Sequence, residues 1–251
     1  MIDLIFTTRP TDPAAFIAAD LDMTIGCVSA DSRVLKTGRY DWAFKIDFID
    51  NDFKAYDHRT HLSVVRVLRP RYATVRDLMT PEQCQRDGIE WFSFEQIMTW
   101  TAEIAEYTKN VIVIPKYDCI DEIYNFDSDM ARKIILGYSV ETGYGGTPVS
   151  VSRFSGRPVH LLGGRFDKQM EKLNQLNGDV VSIDFNQINL IAKHGDYITP
   201  DGRRHTLANN RLGFVQRNRV ACLALSLNAI KARLTLKKQP QPELLPLDLI
   251  A

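Results

Sequence analysis

Short apolar, β-branched runs recur along the whole chain: Asp3–Phe6, Thr24–Val28, Phe44–Ile49, Ala73–Val75, Val111–Ile114, Ile134–Leu136, Val159–Leu162 and Val180–Ile183. Such runs, bounded by polar and turn residues, predict strands. Between several of them apolar residues return every three or four positions, which predicts helices. The clearest helix opens at Ser93-Phe-Glu-Gln96, where Ser and Gln have the spacing of a capping box. Phe94, Ile97 and Ile104 then share one face, and the helix ends before Val111. Another runs from Phe166 through Met170 and Leu173 to a stop at Gly178, the residue type that best tolerates a left-handed cap. A longer one over Phe214–Arg233 carries Val220, Leu223, Leu227 and Ile230 inward and is expected to close the barrel.

The order is therefore β then α, repeated about eight times, which is the signature of an α/β barrel. A length of 251 residues suits one (β/α)8 TIM-type barrel, which needs about 250. The expected organisation is a single barrel with a C-terminal helix over residues 1–238, followed by an extended tail over 239–251. There the run Gln239-Pro-Gln-Pro-Glu-Leu-Leu-Pro246 cannot continue a helix.

Composition narrows this picture. With 45% hydrophobic and 25% charged residues the chain has enough apolar side chains for a large core. No stretch reaches the ~18 apolar residues of a membrane span, and Met1-Ile-Asp-Leu-Ile-Phe6 lacks the basic start of a signal peptide. A cytoplasmic protein without membrane contact is the expectation. Cys27, Cys84, Cys119 and Cys222 are scattered, with no pairs at metal-ligand spacing. They read as reduced and mostly buried, and neither a metal nor a cofactor is expected. The formal charge of zero conceals a division: from Ala192 to Lys238 ten lysines and arginines face only Asp196 and Asp201. A basic region of this kind suggests a polyanionic partner, although a solvated basic helix face would read the same way.

Catalytic groups of such barrels come from the carboxyl ends of the strands. Asp50, Asp77 and Asp184 each stand at or just past the end of a predicted strand. Three carboxylates at one mouth would supply a nucleophile, a proton shuttle and an acceptor for N–H groups. Any one of them alone reads equally well as a turn or cap residue. Two glycine-rich stretches also end strands, Gly137-Tyr-Ser-Val-Glu-Thr-Gly143-Tyr-Gly-Gly146 and Leu161-Leu-Gly-Gly164. They let a planar ligand approach the backbone, but neither has the spacing of a Walker or dinucleotide motif. His160 lies inside a strand and is either a substrate contact or a satisfied core histidine. Lys116, at the end of strand five, would be the Schiff-base lysine of an unrelated small-molecule barrel enzyme such as an aldolase.

These residues in this order resemble the guanine transglycosylases, which include tRNA-guanine enzymes and phage-type DNA 7-deazaguanine transglycosylases. The resemblance runs from about Asp50 to Gly202. Its strongest part is Pro158-Val-His-Leu-Leu-Gly-Gly164, a helix, Gly178-Asp-Val-Val-Ser-Ile-Asp184-Phe, then Ala192-Lys-His-Gly195 and Tyr197-Ile-Thr-Pro-Asp-Gly202. Ile134-Ile-Leu-Gly-Tyr-Ser-Val140 is similar to the family's strand six, Tyr72-Ala-Thr-Val-Arg-Asp77 to the strand ending in its guanine-reading aspartate, and Phe48-Ile-Asp-Asn-Asp-Phe53 to its general acid/base segment.

The resemblance implies a TIM-type barrel in which Asp184 attacks the sugar C1′ and Asp50 shuttles the proton, with Asp47 or Asp52 as alternatives to Asp50. It implies that Asp77 reads the N–H edge of the base and that the backbone of Gly137, Tyr138 and Ser139 holds it. His160, Leu162, Gly163 and Gly164 would complete the substrate site, and Lys193, Arg203, Arg204 and Arg211 would hold phosphates. The implied partners are a nucleic acid, a 7-deazaguanine base and a second copy in a homodimer. The compact build is closer to the phage-type enzymes, which puts DNA ahead of tRNA and a host cytoplasm as the location. Two features depart from the family. Only Cys222 follows Asp184, so the zinc site of the tRNA enzymes is not expected, and Pro115-Lys116-Tyr117 replaces the family's Gln-Gly-Gly. A non-catalytic homologue, binding nucleic acid or supporting a separate transglycosylase, is the alternative.

Overall fold

The computed structural model describes residues 2–31, 44–142, 145–176, 178–185, 187–207 and 215–236. Gly143, Arg211 and the tail expected over 239–251 lie outside the described residues. The chain forms two compact units, residues 1–190 and 191–251.

In the first unit all eight apolar runs are strands: β1 (Asp3–Thr7), β2 (Thr24–Val28), β3 (Ile46–Asp50), β4 (Tyr72–Thr74), β5 (Asn110–Val113), β6 (Ile134–Ser139), β7 (Val159–Leu162) and β8 (Val180–Asp184). Each pairs in parallel with the next, and β8 returns to β1 with Leu4 opposite Ile183, so the sheet is a closed (β/α)8 barrel. The apolar runs are nearly continuous because both faces of a parallel barrel sheet are covered. Ile5, Phe48, Tyr72, Ile112, Ile114 and Ile135 form an apolar cluster, with Leu162 and Val181 packed against it.

The outer layer contains α1 (Pro13–Asp20), α2 (His58–Leu68), α3 (Pro81–Asp87), α4 (Phe94–Ala105), α5 (Ile120–Phe126), α6 (Ser128–Ala131) and α7 (Phe166–Gln175), and the chain leaves the unit within α8 (Gln187–Lys193). Their starts are chemically marked. Asp12 and Asp57 accept hydrogen bonds from the first N–H groups of α1 and α2. Ser93 accepts from Gln96 N at the start of α4 as expected, whereas the fully reciprocal capping box is the one at α3, between Thr80 and Gln83. Helix α7 ends ahead of Gly178, whose φ of 104° is open to glycine alone.

The amino end of the barrel is sealed by paired charges. Asp3 accepts from Arg71 Nη1 at 2.7 Å and from the Tyr72 hydroxyl at 2.5 Å. Asp47 accepts from Arg71 N at 2.8 Å and lies 2.7 Å from Lys45 Nζ. All four cysteines are buried and free. Among the described residues no helix is long and apolar enough to cross a membrane.

The second unit contains a hairpin of β9 (Asp196–Ile198) and β10 (Arg204–Thr206) and the helix α9 (Val215–Leu236). Ile198 N donates to Ser226 Oγ on α9 at 2.9 Å, and the Ser226 hydroxyl donates back to Cys222 O at 2.8 Å. Two expectations are corrected here. Barrel closure is made by the β1–β8 ladder rather than by the long helix. Val220, expected to point inward with Leu223, Leu227 and Ile230, is 44% exposed, whereas Cys222, Leu223, Leu227 and Ile230 are buried.

The packing inside the barrel yields a test. A Cβ on Gly26 would sit 2.5 Å from Phe48 Cδ1 and 3.0 Å from Thr7 Oγ1. Gly26→Ala is expected to cost about 1–3 kcal/mol, read as a lower urea midpoint at unchanged slope, and Gly26→Ala/Phe48→Leu should recover part of the loss.

Candidate active site

A cavity of about 440 Å³ opens at the carboxyl ends of the strands. Asp50, Asp77, Lys116, Ser139 and Leu162 line it, together with Asn51 and Phe53 from the loop after β3 and Met79, Gln83 and Arg86 around α3. This is the end at which barrels of this type carry their chemistry.

Asp50 is the last residue of β3. The Thr74 hydroxyl of β4 and the Asn51 N–H both donate to its Oδ1, each at 3.0 Å. The same Asn51 N–H also reaches Thr74 Oγ1 at 2.7 Å, and Asn51 Nδ2 donates to Val75 O at 2.6 Å, which ties the end of β3 to β4. One edge of Asp50 opens onto the cavity, yet its carboxyl is desolvated. Burial, then the charges of Asp184 and Asp77, push its pKa up to about 7, against the opposing hydrogen bonds from Thr74 and Asn51.

Asp184 ends β8 and is 4% exposed. Burial pushes its carboxyl up to about 6, while Thr7 and the Phe185 N–H pull the other way. Even so, neither Asp184 Oδ1 nor Thr7 Oγ1 makes a hydrogen bond among the described residues. Asp184 is not one of the residues lining the cavity, and it acts on Asp50 through its charge. The charge of Asp184 thus adds to burial in making Asp50 hold its proton more firmly.

Asp77 and Lys116 face each other across the cavity wall, with Nζ 3.6 Å from Oδ2. Of the two alternatives to Asp50, Asp47 is committed to the ion pairs at the opposite end of the barrel. Asp52 accepts from the Lys54 and Ala55 N–H groups at 3.2 and 3.3 Å, as a turn residue does.

The remaining expected residues divide. Ser139 and Leu162 line the cavity. The space a Gly137 side chain would fill is taken by Ile114 Cγ1, which lies 2.5 Å from the Cβ position, and by Ile112 and Leu162. Tyr138 is buried against Phe154 at 5.1 Å between ring centroids, under Lys172, with its hydroxyl directed to Glu141. Gly163 and Gly164 turn with φ of 65° and 71°, and Gly164 has no room for a Cβ beside Val140. His160 is fully buried 5.6 Å from the Phe48 ring, with Nδ1 2.8 Å from Ser182 Oγ. Its Nε2 has no partner among the described residues, and burial drops its pKa to about 3, so the ring is neutral.

In the second unit Lys193 is exposed, Arg203 pairs with Asp201 at 3.2 Å, and Arg204 pairs with Asp196 through Nε at 2.6 Å.

Three residues of the site were not read from the sequence. Thr74 and Asn51 orient Asp50. Buried Gln169 on α7 donates to both Gly163 O and Asp184 O at 2.8 Å, binding the ends of β7 and β8 together. Gln169 did leave a signal, since it is a polar residue on the apolar face shared by Phe166, Met170 and Leu173.

The model of a family described as a family of unknown function, DUF6610, matches residues 18–234. No curated protein matches the chain.

The raised pKa values fix a stability test. Each carboxyl is easier to hold protonated in the fold than in the unfolded chain. Its contribution is complete below about pH 4 and is lost as pH rises through about 6 for Asp184 and about 7 for Asp50. Asp184→Asn and Asp50→Asn imitate the protonated form. Each is expected to gain about 1–2 kcal/mol at pH 8 and close to nothing at pH 4, measured by denaturant unfolding.

Proposed function

We propose that this chain, which belongs to the DUF6610 family, exchanges guanine in nucleic acid, DNA ahead of tRNA, for a 7-deazaguanine base. The observation that carries the reading is the placement of Asp50 and Asp184 at strand ends of one barrel mouth, Asp50 on the cavity and Asp184 buried, where desolvation raises their carboxyls to about 7 and about 6. Displacements of this kind concentrate at sites of proton transfer and nucleophilic attack. The resemblance of the Pro158–Gly202 segment to the guanine transglycosylases supplies the reaction class.

In the first displacement a carboxylate oxygen of Asp184 attacks C1′ as the bond from C1′ to the purine nitrogen breaks. The bond's electron pair leaves with guanine, which takes its proton from Asp50. The second displacement reverses the roles. Asp50 takes a proton from the incoming 7-deazaguanine, whose ring nitrogen attacks C1′ and releases Asp184. Two inversions retain configuration at the sugar, as in retaining glycosidases. The target nucleotide must leave the base stack to reach a cavity of this kind. Lys193, Arg203 and Arg204 are offered as phosphate contacts, although the last two already pair with Asp201 and Asp196.

A second reading is favoured by one observation: Asp184 is 4% exposed and does not line the cavity. A homologue that binds a base or a nucleic acid without exchanging it would tolerate that seclusion. The Schiff-base alternative loses ground, because the Lys116 amine stands 3.6 Å from the Asp77 carboxylate rather than in the apolar or cationic surroundings that activate such a lysine.

Incubation with guanine-containing DNA or tRNA and labelled 7-deazaguanine tests the reading. Label should enter one polymer, Asp184→Ala should abolish entry, and Asp50→Asn should slow it about 10²–10⁴-fold. Binding without incorporation in the intact protein would establish the second reading. The exchange rate should also pass through a maximum between about pH 6 and about pH 7. Below it Asp184 gains a proton, and above it Asp50 loses the one the leaving base needs.

A further inference from the structure

We infer that Lys116 completes, beside the base-reading Asp77 that the resemblance implies, a recognition pair for the 2-amino-6-oxo edge of a bound heterocycle. In this arrangement Lys116 Nζ donates to the 6-oxo oxygen, and Asp77 accepts from the neighbouring ring N–H and the exocyclic amine. The inference deepens the base-exchange reading and rests on it for the nature of the ligand.

The pair is buried and incomplete. The two side chains are 11% and 7% exposed, yet Nζ and Oδ2 stand 3.6 Å apart, well beyond the ~2.7–2.9 Å of a charge-assisted hydrogen bond. Lys116 Nζ also donates to Gly146 O at 3.5 Å, which is the outer limit of a hydrogen bond. The Asp77 carboxylate accepts no hydrogen bond among the described residues. Opposite charges taken out of water are costly unless their remaining donors and acceptors are satisfied. Both groups line the cavity, so an occupant that displaces solvent from it can pair with both at once.

The backbone holds the two groups in fixed relation. Leu78 pairs in parallel with Pro115 beyond the last residues of β4 and β5: Leu78 N donates to Ile114 O at 2.9 Å and Lys116 N to Leu78 O at 2.8 Å. Gln83, locked by its capping box with Thr80, donates from Nε2 to Lys116 O at 2.7 Å. The acceptor and the donor are thus set side by side before any ligand arrives, which reduces the ordering cost of binding.

An occupant that satisfies both must carry two N–H groups for the carboxylate beside a carbonyl for the ammonium. Guanine and 7-deazaguanine present that edge, and so do pterins. Adenine does not, because its ring nitrogen on that edge is an acceptor and would meet the carboxylate lone pairs. Lys116 is therefore assigned as a specificity-determining residue at the point where the resemblance to the transglycosylases departs.

Equilibrium dialysis of the full chain against guanine, 6-thioguanine, which keeps the ring N–H and the 2-amino group but carries a weakly accepting sulfur in place of the 6-oxo oxygen, and pterin tests this without requiring catalysis. The intact protein should hold guanine about 10-fold more tightly than 6-thioguanine, within the range of a hydrogen bond to a charged group. Lys116→Met should remove that preference while leaving 6-thioguanine binding within about 3-fold, and Lys116→Gln, which keeps a neutral donor, should restore part of it. Equal affinity of the intact protein for guanine and 6-thioguanine, or binding of none of the three, overturns the inference. Tighter binding of pterin than guanine, with the same dependence on Lys116, supports the edge assignment and sinks the base-exchange reading. Base exchange whose preference for the 6-oxo group survives in Lys116→Met sinks the assignment and leaves base exchange standing.

Discussion

The parallel ladder between β1 and β8 is the contact on which the site depends. It turns eight strands into a closed ring, and a closed parallel ring directs all eight carboxyl ends to one mouth. Without it β8 would be an edge strand and Asp184 a solvated carboxylate at its end. With it Asp184 is 4% exposed beside Thr7 and electrostatically coupled to Asp50. Closure, through desolvation, is what separates these aspartates from ordinary surface acids.

The two ends of the barrel show how environment divides one residue type between two roles. Asp3 and Asp47 at the amino end are matched by Arg71, Lys45 and the Tyr72 hydroxyl, so their charge is balanced where it sits. Asp50 and Asp184 at the carboxyl end have no ion pair among the described residues, and burial raises both. The fold carries that imbalance as a local cost, offset by the apolar interior around Phe48, Ile112 and Ile135. Local destabilisation of this kind is the usual companion of a reactive site. Asp77 lies between the two cases, because its cation Lys116 is near but not bonded to it.

The barrel was legible because parallel strands buried on both faces leave continuous apolar runs, and each of the eight runs proved to be a strand. Strand ends were legible for the same reason, and they located Asp50, Asp77 and Asp184. The β9–β10 hairpin was not, since two three-residue strands are too short to show alternation and their turn residues dominate. Direction along β6 was also hidden. Gly137 and Tyr138 occupy the expected strand, but the missing side chain of Gly137 makes room for Ile114, and Tyr138 packs on Phe154. Side-chain partners across strands, such as Thr74 with Asp50 or Gln169 with the Asp184 carbonyl, depend on register that only the folded chain defines.

The central claim is that Asp184 becomes covalently attached to a sugar. The direct measurement is to mix the protein with guanine-containing single-stranded DNA or tRNA without an acceptor base, quench in detergent, and look for a protein–nucleic acid adduct by denaturing electrophoresis. The account predicts an adduct whose linked peptide maps to Val180–Asp184, which is absent in Asp184→Ala and is discharged when 7-deazaguanine is added before the quench. Base exchange that proceeds at full rate in Asp184→Ala, with no adduct at any time, would contradict it.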